Sequence, residues 1–158
     1  MEITFTLNGD KTTVTAAPGQ RLIDLLRDVF GLCGTKESCG QGECGVCTVL
    51  LDNRAVHSCL LLAAEADGHA VTTIEGLFVG QQLDPVQQAF IDCGAIQCGY
   101  CTPGMVLSAK GLLLQNPNPD DEAIKEALAG NLCRCTGYVK ILEAVKLAAE
   151  RMRNHAGH

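Results

Sequence analysis

Ten cysteines constrain this chain more than any other feature of its 158 residues. Eight of them fall into two sets of four, one in each half of the sequence. The first set is Cys39, Cys44, Cys47 and Cys59; the second is Cys98, Cys101, Cys133 and Cys135. Residues 1–10 alternate polar and apolar side chains, without the charged region and apolar stretch of a secretory leader. The expected compartment is therefore the cytoplasm, where cysteine-rich sets bind metal in preference to forming disulfides.

Composition removes several classes of function. A hydrophobic content of 47% is enough for a packed core. A net charge of −6 argues against nucleic acid, whose binders are basic, and a 4% aromatic content without Trp leaves no platform for stacking bases. No apolar run reaches the roughly 20 residues of a membrane span.

The spacing of the first set, Cys39-x4-Cys44-x2-Cys47 with Cys59 eleven residues on, is the plant-type ferredoxin pattern for one 2Fe–2S cluster. Two irons need two thiolates each, and an anionic cluster needs backbone N–H donors around its sulfurs. Gly40, Gly42 and Gly45 allow a loop to curl that closely. Gly40 to Gly45 also reads G-x-G-x-x-G, but a dinucleotide fingerprint follows a strand and opens a helix, and this one does neither. Zinc is the rival occupant, although a zinc ribbon repeats C-x2-C and the first half of this set does not. In the second set, Cys98-x2-Cys101 and Cys133-x-Cys135 flank 31 residues that read as a helical hairpin, which would bring the pairs together. That spacing serves zinc nearly as well as a cluster.

The periodicity predicts an α+β chain. Ile3, Phe5 and Leu7 alternate as a strand, Asn8-Gly9 is a hairpin turn, and a second strand follows over 12–16. Leu22, Leu25, Leu26 and Val29 form a helical stripe that Gly31 ends. Strands are expected over 48–51, 55–59 and 70–74, with a short helix over 60–64, the pattern of a β-grasp domain. The second half reads as four helices. Asp84-Pro85 and Thr102-Pro103 are start signals, each a cap followed by Pro, and further helices are expected over 120–129 and from Gly137 to about Arg153. The expected division is a ferredoxin-like domain over 1–76, a linker over 77–83 and a helical cluster-binding domain over 84–158.

Three motifs, Gly40-x-Gly42-x-Cys44-Gly45-x-Cys47-Thr48-Val49, Gln97-Cys98-Gly99-Tyr100-Cys101-Thr102-Pro103-Gly104 and Gly130-Asn131-Leu132-Cys133-Arg134-Cys135-Thr136-Gly137-Tyr138, make the chain resemble the small iron–sulfur subunit of the xanthine oxidase family of molybdenum hydroxylases. The resemblance runs from about Ile3 to Val145. It implies a plant-type ferredoxin-like β-grasp followed by a four-helix bundle, and two 2Fe–2S clusters on the eight cysteines. It also implies a large partner subunit with molybdenum on a pterin (molybdopterin, dinucleotide form), a medium partner subunit with FAD, and a dimer of such heterotrimers. Electrons would pass from molybdenum to the second set, then to the first set, then to FAD. The resemblance further places Cys135 and Gln97 against the pterin. The chain alone is not expected to turn over a substrate.

Other residues draw plainer expectations. Cys33 and Cys93 belong to neither set and read as buried free thiols. Lys36 and Glu37 read as an exposed pair. His57, His69, His155 and His158 are assigned no ligand role, because both cysteine sets are complete. Arg134, between two ligands, is a candidate to offset cluster charge or to meet a partner. The competing functions are a zinc-stabilised assembly module and a free-standing ferredoxin.

Overall fold

The computed structural model of the chain describes residues 1–78 and 80–156. Five strands form one mixed sheet in the order β2-β1-β5-β3-β4. They are β1 (Glu2–Leu7), β2 (Asp10–Thr15), β3 (Thr48–Leu51), β4 (Arg54–His57) and β5 (Ala70–Thr72). β1 and β2 pair antiparallel through a turn whose Asn8 and Gly9 both have positive φ, as the sequence implies. Asp52 and Asn53 make the equivalent turn between β3 and β4. β1 and β5 pair in parallel, which places the two ends of the first half side by side.

The first helix departs from its expected phase. It begins as α1 (Leu22–Asp24) and continues as one π turn over Leu25–Val29. The Phe30 amide reaches back five residues to the Leu25 carbonyl. That extra residue in the turn rotates Val29 out to 52% exposure, and Phe30 packs edge-on against Phe5 instead. Gly31, at φ 67°, then ends the helix, and the Leu32 amide bonds the Leu26 carbonyl. Beneath α1 lie Ile3, Phe5, Leu7, Val49 and Val71, the inward residues of the sheet.

The second half holds four helices, α2 (Pro85–Asp92), α3 (Thr102–Gln115), α4 (Asp121–Leu128) and α5 (Val139–Ala156). Asp84 caps α2 as expected, accepting the Val86 amide at 2.9 Å. Asp120 caps α4 through the Ala123 amide at 2.8 Å. The start of α3 differs from the sequence reading. Thr102 is already helical and makes no cap bond; the cap position is Cys101, one of the second set. The Thr102 amide instead bonds the Gly99 carbonyl in the turn that carries Cys98 and Cys101. The expected helix over 60–64 is a 3-10 turn at Ala63–Ala66, and β5 ends at Thr72 before a second 3-10 turn at Ile74–Leu77. Part of the expected linker, Val79, and His158 lie outside the described residues.

The two halves meet through α3, which lies across β3 and β4. A Cβ on Gly111 would stand 3.1 Å from the Ala55 amide nitrogen and 3.2 Å from Leu50, so a small residue sets how closely helix and strand approach. Leu50, on β3, belongs to the core of the helical half together with Phe90, Met105, Leu107, Ile124, Ile141 and Val145. β3 is therefore covered on both faces, and each cysteine set grows from an end of this central packing.

Candidate metal centre

The first set is built on a glycine-rich loop. Gly40, Gly42 and Gly45 have φ of 64°, 82° and 72°. At Gly45 there is also no room for a side chain, because a Cβ would lie 2.2 Å from the Gly130 carbonyl oxygen. The loop wraps the Cys39 sulfur with three backbone amides, from Gln41 at 3.5 Å, Glu43 at 3.3 Å and Cys44 at 3.4 Å. Those donors favour the thiolate, led by Gln41, and bring the Cys39 pKa down to about 6. Cys47 and Cys59 are buried with Ile23. Burial, with Cys59 alongside, pushes the Cys47 thiol up to about 12. Cys59 lies in the turn just past β4, which ends at His57, and the Ser58 hydroxyl anchors that turn on the Cys47 carbonyl at 2.7 Å.

All four cysteines of the second set line one cavity of about 280 Å³, together with Cys44 of the first set, Tyr100, Leu132 and Arg134. Thr136 holds the Cys133 sulfur through its hydroxyl at 3.1 Å and its amide at 3.4 Å. Burial opposes ionisation of Cys133, but the Thr136 donors, the Cys135 amide and Cys101 together outweigh it and the thiol pKa is lowered. Burial and the neighbouring Cys133 raise Cys101 to about 12, and Cys98 raises Cys135. Tyr138, at φ 70°, closes the loop by accepting the Cys133 amide at 2.8 Å and donating to the Asn131 carbonyl at 3.3 Å.

Within each set the thiols lie close enough to influence one another: Cys47 feels both Cys59 and Cys44, Cys101 feels both Cys133 and Cys98, and Cys135 feels both Cys98 and Cys133. Among the described residues, no three His, Cys, Asp or Glu side chains converge as on a single ion.

Two known domain families match the chain. Residues 5–73 match the 2Fe-2S iron-sulfur cluster binding domain, and residues 73–146 match the 2Fe-2S binding domain. The nicotinate dehydrogenase small FeS subunit of Eubacterium barkeri is 50% identical over 152 residues, covering 96% of this chain and 97% of that protein. The xanthine dehydrogenase iron-sulfur-binding subunit of Escherichia coli O157:H7 is 47% identical over 146 residues, covering 90% and 91%. This chain belongs to the small iron–sulfur subunits of the xanthine oxidase family. In three dimensions it is similar to quinoline 2-oxidoreductase from Pseudomonas putida 86, with a TM-score of 0.92, 44% identity and coverage of 98% and 96%. It is thus the iron–sulfur component of a multi-subunit oxidoreductase, with partner subunits. No helix among the described residues is long and apolar enough to cross a membrane.

The remaining candidates fall as follows. Gln97 is exposed beside the exposed Cys98, and Cys135 and Arg134 are exposed on the same cavity rim. Cys33 is exposed and Cys93 half-buried, against the expectation of two buried thiols. The tight turn after Gly31, in which the Cys33 amide bonds the Gly31 carbonyl, carries Cys33 outward. Lys36 and Glu37 are not a free pair. Lys36 donates to the Cys33 carbonyl at 2.8 Å, and Glu37 accepts Arg21 at 2.7 Å. His57 lies beside Gly130, and His69 pairs with Asp52 at 2.6 Å. Sequence reasoning gave no role to Asn131, which is buried between the halves. Its amide donates to the Gly45 carbonyl at 3.0 Å and it accepts Ser108 at 2.8 Å. Its place between Gly130 and the Leu132-Cys133 pair was the available signal.

Proposed function

We propose that this chain is an electron relay with two 2Fe–2S clusters, carrying electrons from a molybdenum–pterin centre in a large partner subunit to FAD in a medium one. Such clusters take up and release one electron at a time between ferric and ferrous iron. Cys39, Cys44, Cys47 and Cys59 would hold the inner cluster, within a domain over 1–76. Cys98, Cys101, Cys133 and Cys135 would hold the outer one, within a domain over 84–158 reached through the linker 77–83.

One contact carries the reading. The Leu132 amide donates to the Cys44 carbonyl at 2.9 Å. Leu132 is bonded to Cys133 of the second set, and Cys44 is a member of the first, so the sets are joined by a few covalent bonds and one hydrogen bond. A relay needs its two stations this close; independent metal staples do not. The exposure of Cys98, Cys135 and Gln97 suits a set that meets a partner, and we assign Cys135 and Gln97 to the pterin side. Arg134, on the same rim, would meet the large subunit or offset cluster charge. We place the assembly in the cytoplasm as a dimer of heterotrimers.

The test uses the assembled complex carrying Cys98→Ser. In the relay, substrate then no longer reduces the first-set centre, while dithionite still does. Unchanged reduction of the first-set centre by substrate contradicts the proposed order.

A further inference from the structure

Glu37 is held from both halves of the molecule. Its carboxylate accepts the Arg21 guanidinium at 2.7 Å, and Arg21 is in turn fixed by Asp24 at 2.6 and 2.9 Å, at the start of α1. The carbonyl of the same residue accepts the hydroxyl of Tyr100. Tyr100 stands between Cys98 and Cys101 of the second set, and Glu37 stands two residues before Cys39 of the first. Arg21 also passes close to the glycine loop, 3.6 Å from where a Cβ on Gly40 would be.

We propose that Arg21, Glu37 and Tyr100 form a positioning bridge that fixes the spacing of the two cluster loops and so sets the electronic coupling between them. The inference rests on the two-cluster reading. The bond from Leu132 to Cys44 ties one edge of the second-set loop to the first set. The neighbouring Asn131 amide bonds the adjacent Gly45 carbonyl at 3.0 Å, so both bonds lie at one edge and act together as a hinge. Tyr100 comes from the other cysteine pair of the second set and reaches the opposite end of the first-set loop, ahead of Cys39 rather than at Cys44. Ties at both ends of the loop remove the rotation that ties at one edge permit. The ion pair with Arg21 is what makes Glu37 a firm acceptor, since a loop peptide without an anchored side chain would yield to the tyrosine. Thr35, two residues earlier, gives its carbonyl to Arg27 at 2.7 Å, so the approach to Cys39 is pinned on the α1 side at two places.

Tyr100→Phe keeps the ring and removes only the hydroxyl. The experiment compares the cluster-loaded full chain with this variant and with Arg21→Gln, which frees the Glu37 side chain from the other side. Electron paramagnetic resonance of the fully reduced proteins gives each cluster's own signal and the splitting caused by its neighbour, which depends steeply on their separation. Hydrogen exchange at the Gln41, Glu43 and Cys44 amides reports the loop itself. The bridge predicts two full signals in every protein, a changed splitting in both variants, and exchange faster by about fivefold in Tyr100→Phe, the equivalent of one neutral hydrogen bond. Wild-type splitting in both variants overturns the bridge. Faster exchange with an unmoved splitting overturns it as well, because the tie would then be a staple of the fold with no bearing on the relay. A wild-type chain with a single half-spin signal overturns the two-cluster reading, and the bridge with it.

Discussion

The amide of Leu132 donates to the carbonyl of Cys44 at 2.9 Å, and this bond joins a cysteine of the first set to the residue beside Cys133 of the second. Its chemistry is backbone, so the direct way to remove it is Leu132→Pro, which deletes the donor. We expect both clusters to assemble in that variant and electron transfer between them to slow, with a stability loss of about 1 kcal/mol. Spin counting on the reduced protein checks assembly, and freeze-quench after partial reduction checks the rate.

Gly45 and Gly40 share a left-handed backbone but not their surroundings. Alanine at Gly40 meets nothing closer than 3.6 Å, whereas at Gly45 it would collide with the Gly130 carbonyl at 2.2 Å. Gly40→Ala should cost about 1–2 kcal/mol, the ordinary price of a left-handed alanine. Gly45→Ala should cost distinctly more, since a Cβ there must push the two halves apart. Denaturant midpoints of the two variants, measured side by side, test the ranking.

Much of this was legible in the sequence, and the exceptions have physical reasons. The glycine-rich loop over 39–47 and the Asp84 cap could be read because local backbone freedom and short-range hydrogen bonds decide them. The π turn at Leu25–Val29 could not, because one extra residue in a turn leaves the apolar stripe intact up to Val29 and only Phe5, distant in sequence, selects Phe30 for the core. Thr102 looked like a cap because Thr-Pro is a start signal; the Gly99 carbonyl claimed its amide and drew Cys101 into the cap position. Asn131 and Glu37 act across the junction between halves, through partners 63 to 86 residues away, and no single-sequence pattern marks such contacts.

Asp84 and Lys110 form an ion pair of 2.6 Å with side chains only 7% and 15% exposed, and the same carboxylate caps α2. Asp84→Asn preserves the cap and leaves the lysine without its counter-charge. A loss of about 3 kcal/mol is expected, the scale for breaking one side of a buried pair. Thermal unfolding of the variant gives the value, and recovery of much of the loss in Asp84→Asn with Lys110→Met would show that the stranded ammonium is the cause.

Cysteine ionisation in the cluster-free folded chain should be sharply site-selective. The Cys39 pKa falls from 9.0 to about 6 under the Gln41, Cys44 and Glu43 amides, while Cys47 and Cys101 are raised to about 12 by burial. Alkylation followed by peptide mass spectrometry should label Cys39 with a midpoint near 6 and leave Cys47 and Cys101 slow up to pH 9. The sign for stability follows. A thiol pKa depressed by folding adds stability that is fully present above 9.0 and is lost as the pH falls through about 6. Equal labelling of Cys39 and Cys47 at neutral pH would contradict the amide cradle.

The most direct test of the central claim is the spin count of the purified chain reduced with dithionite, with iron and zinc measured on the same sample. The relay predicts two distinct half-spin signals, each near one spin per chain, and about four irons per chain. One signal, or zinc in place of iron in either cysteine set, would contradict it.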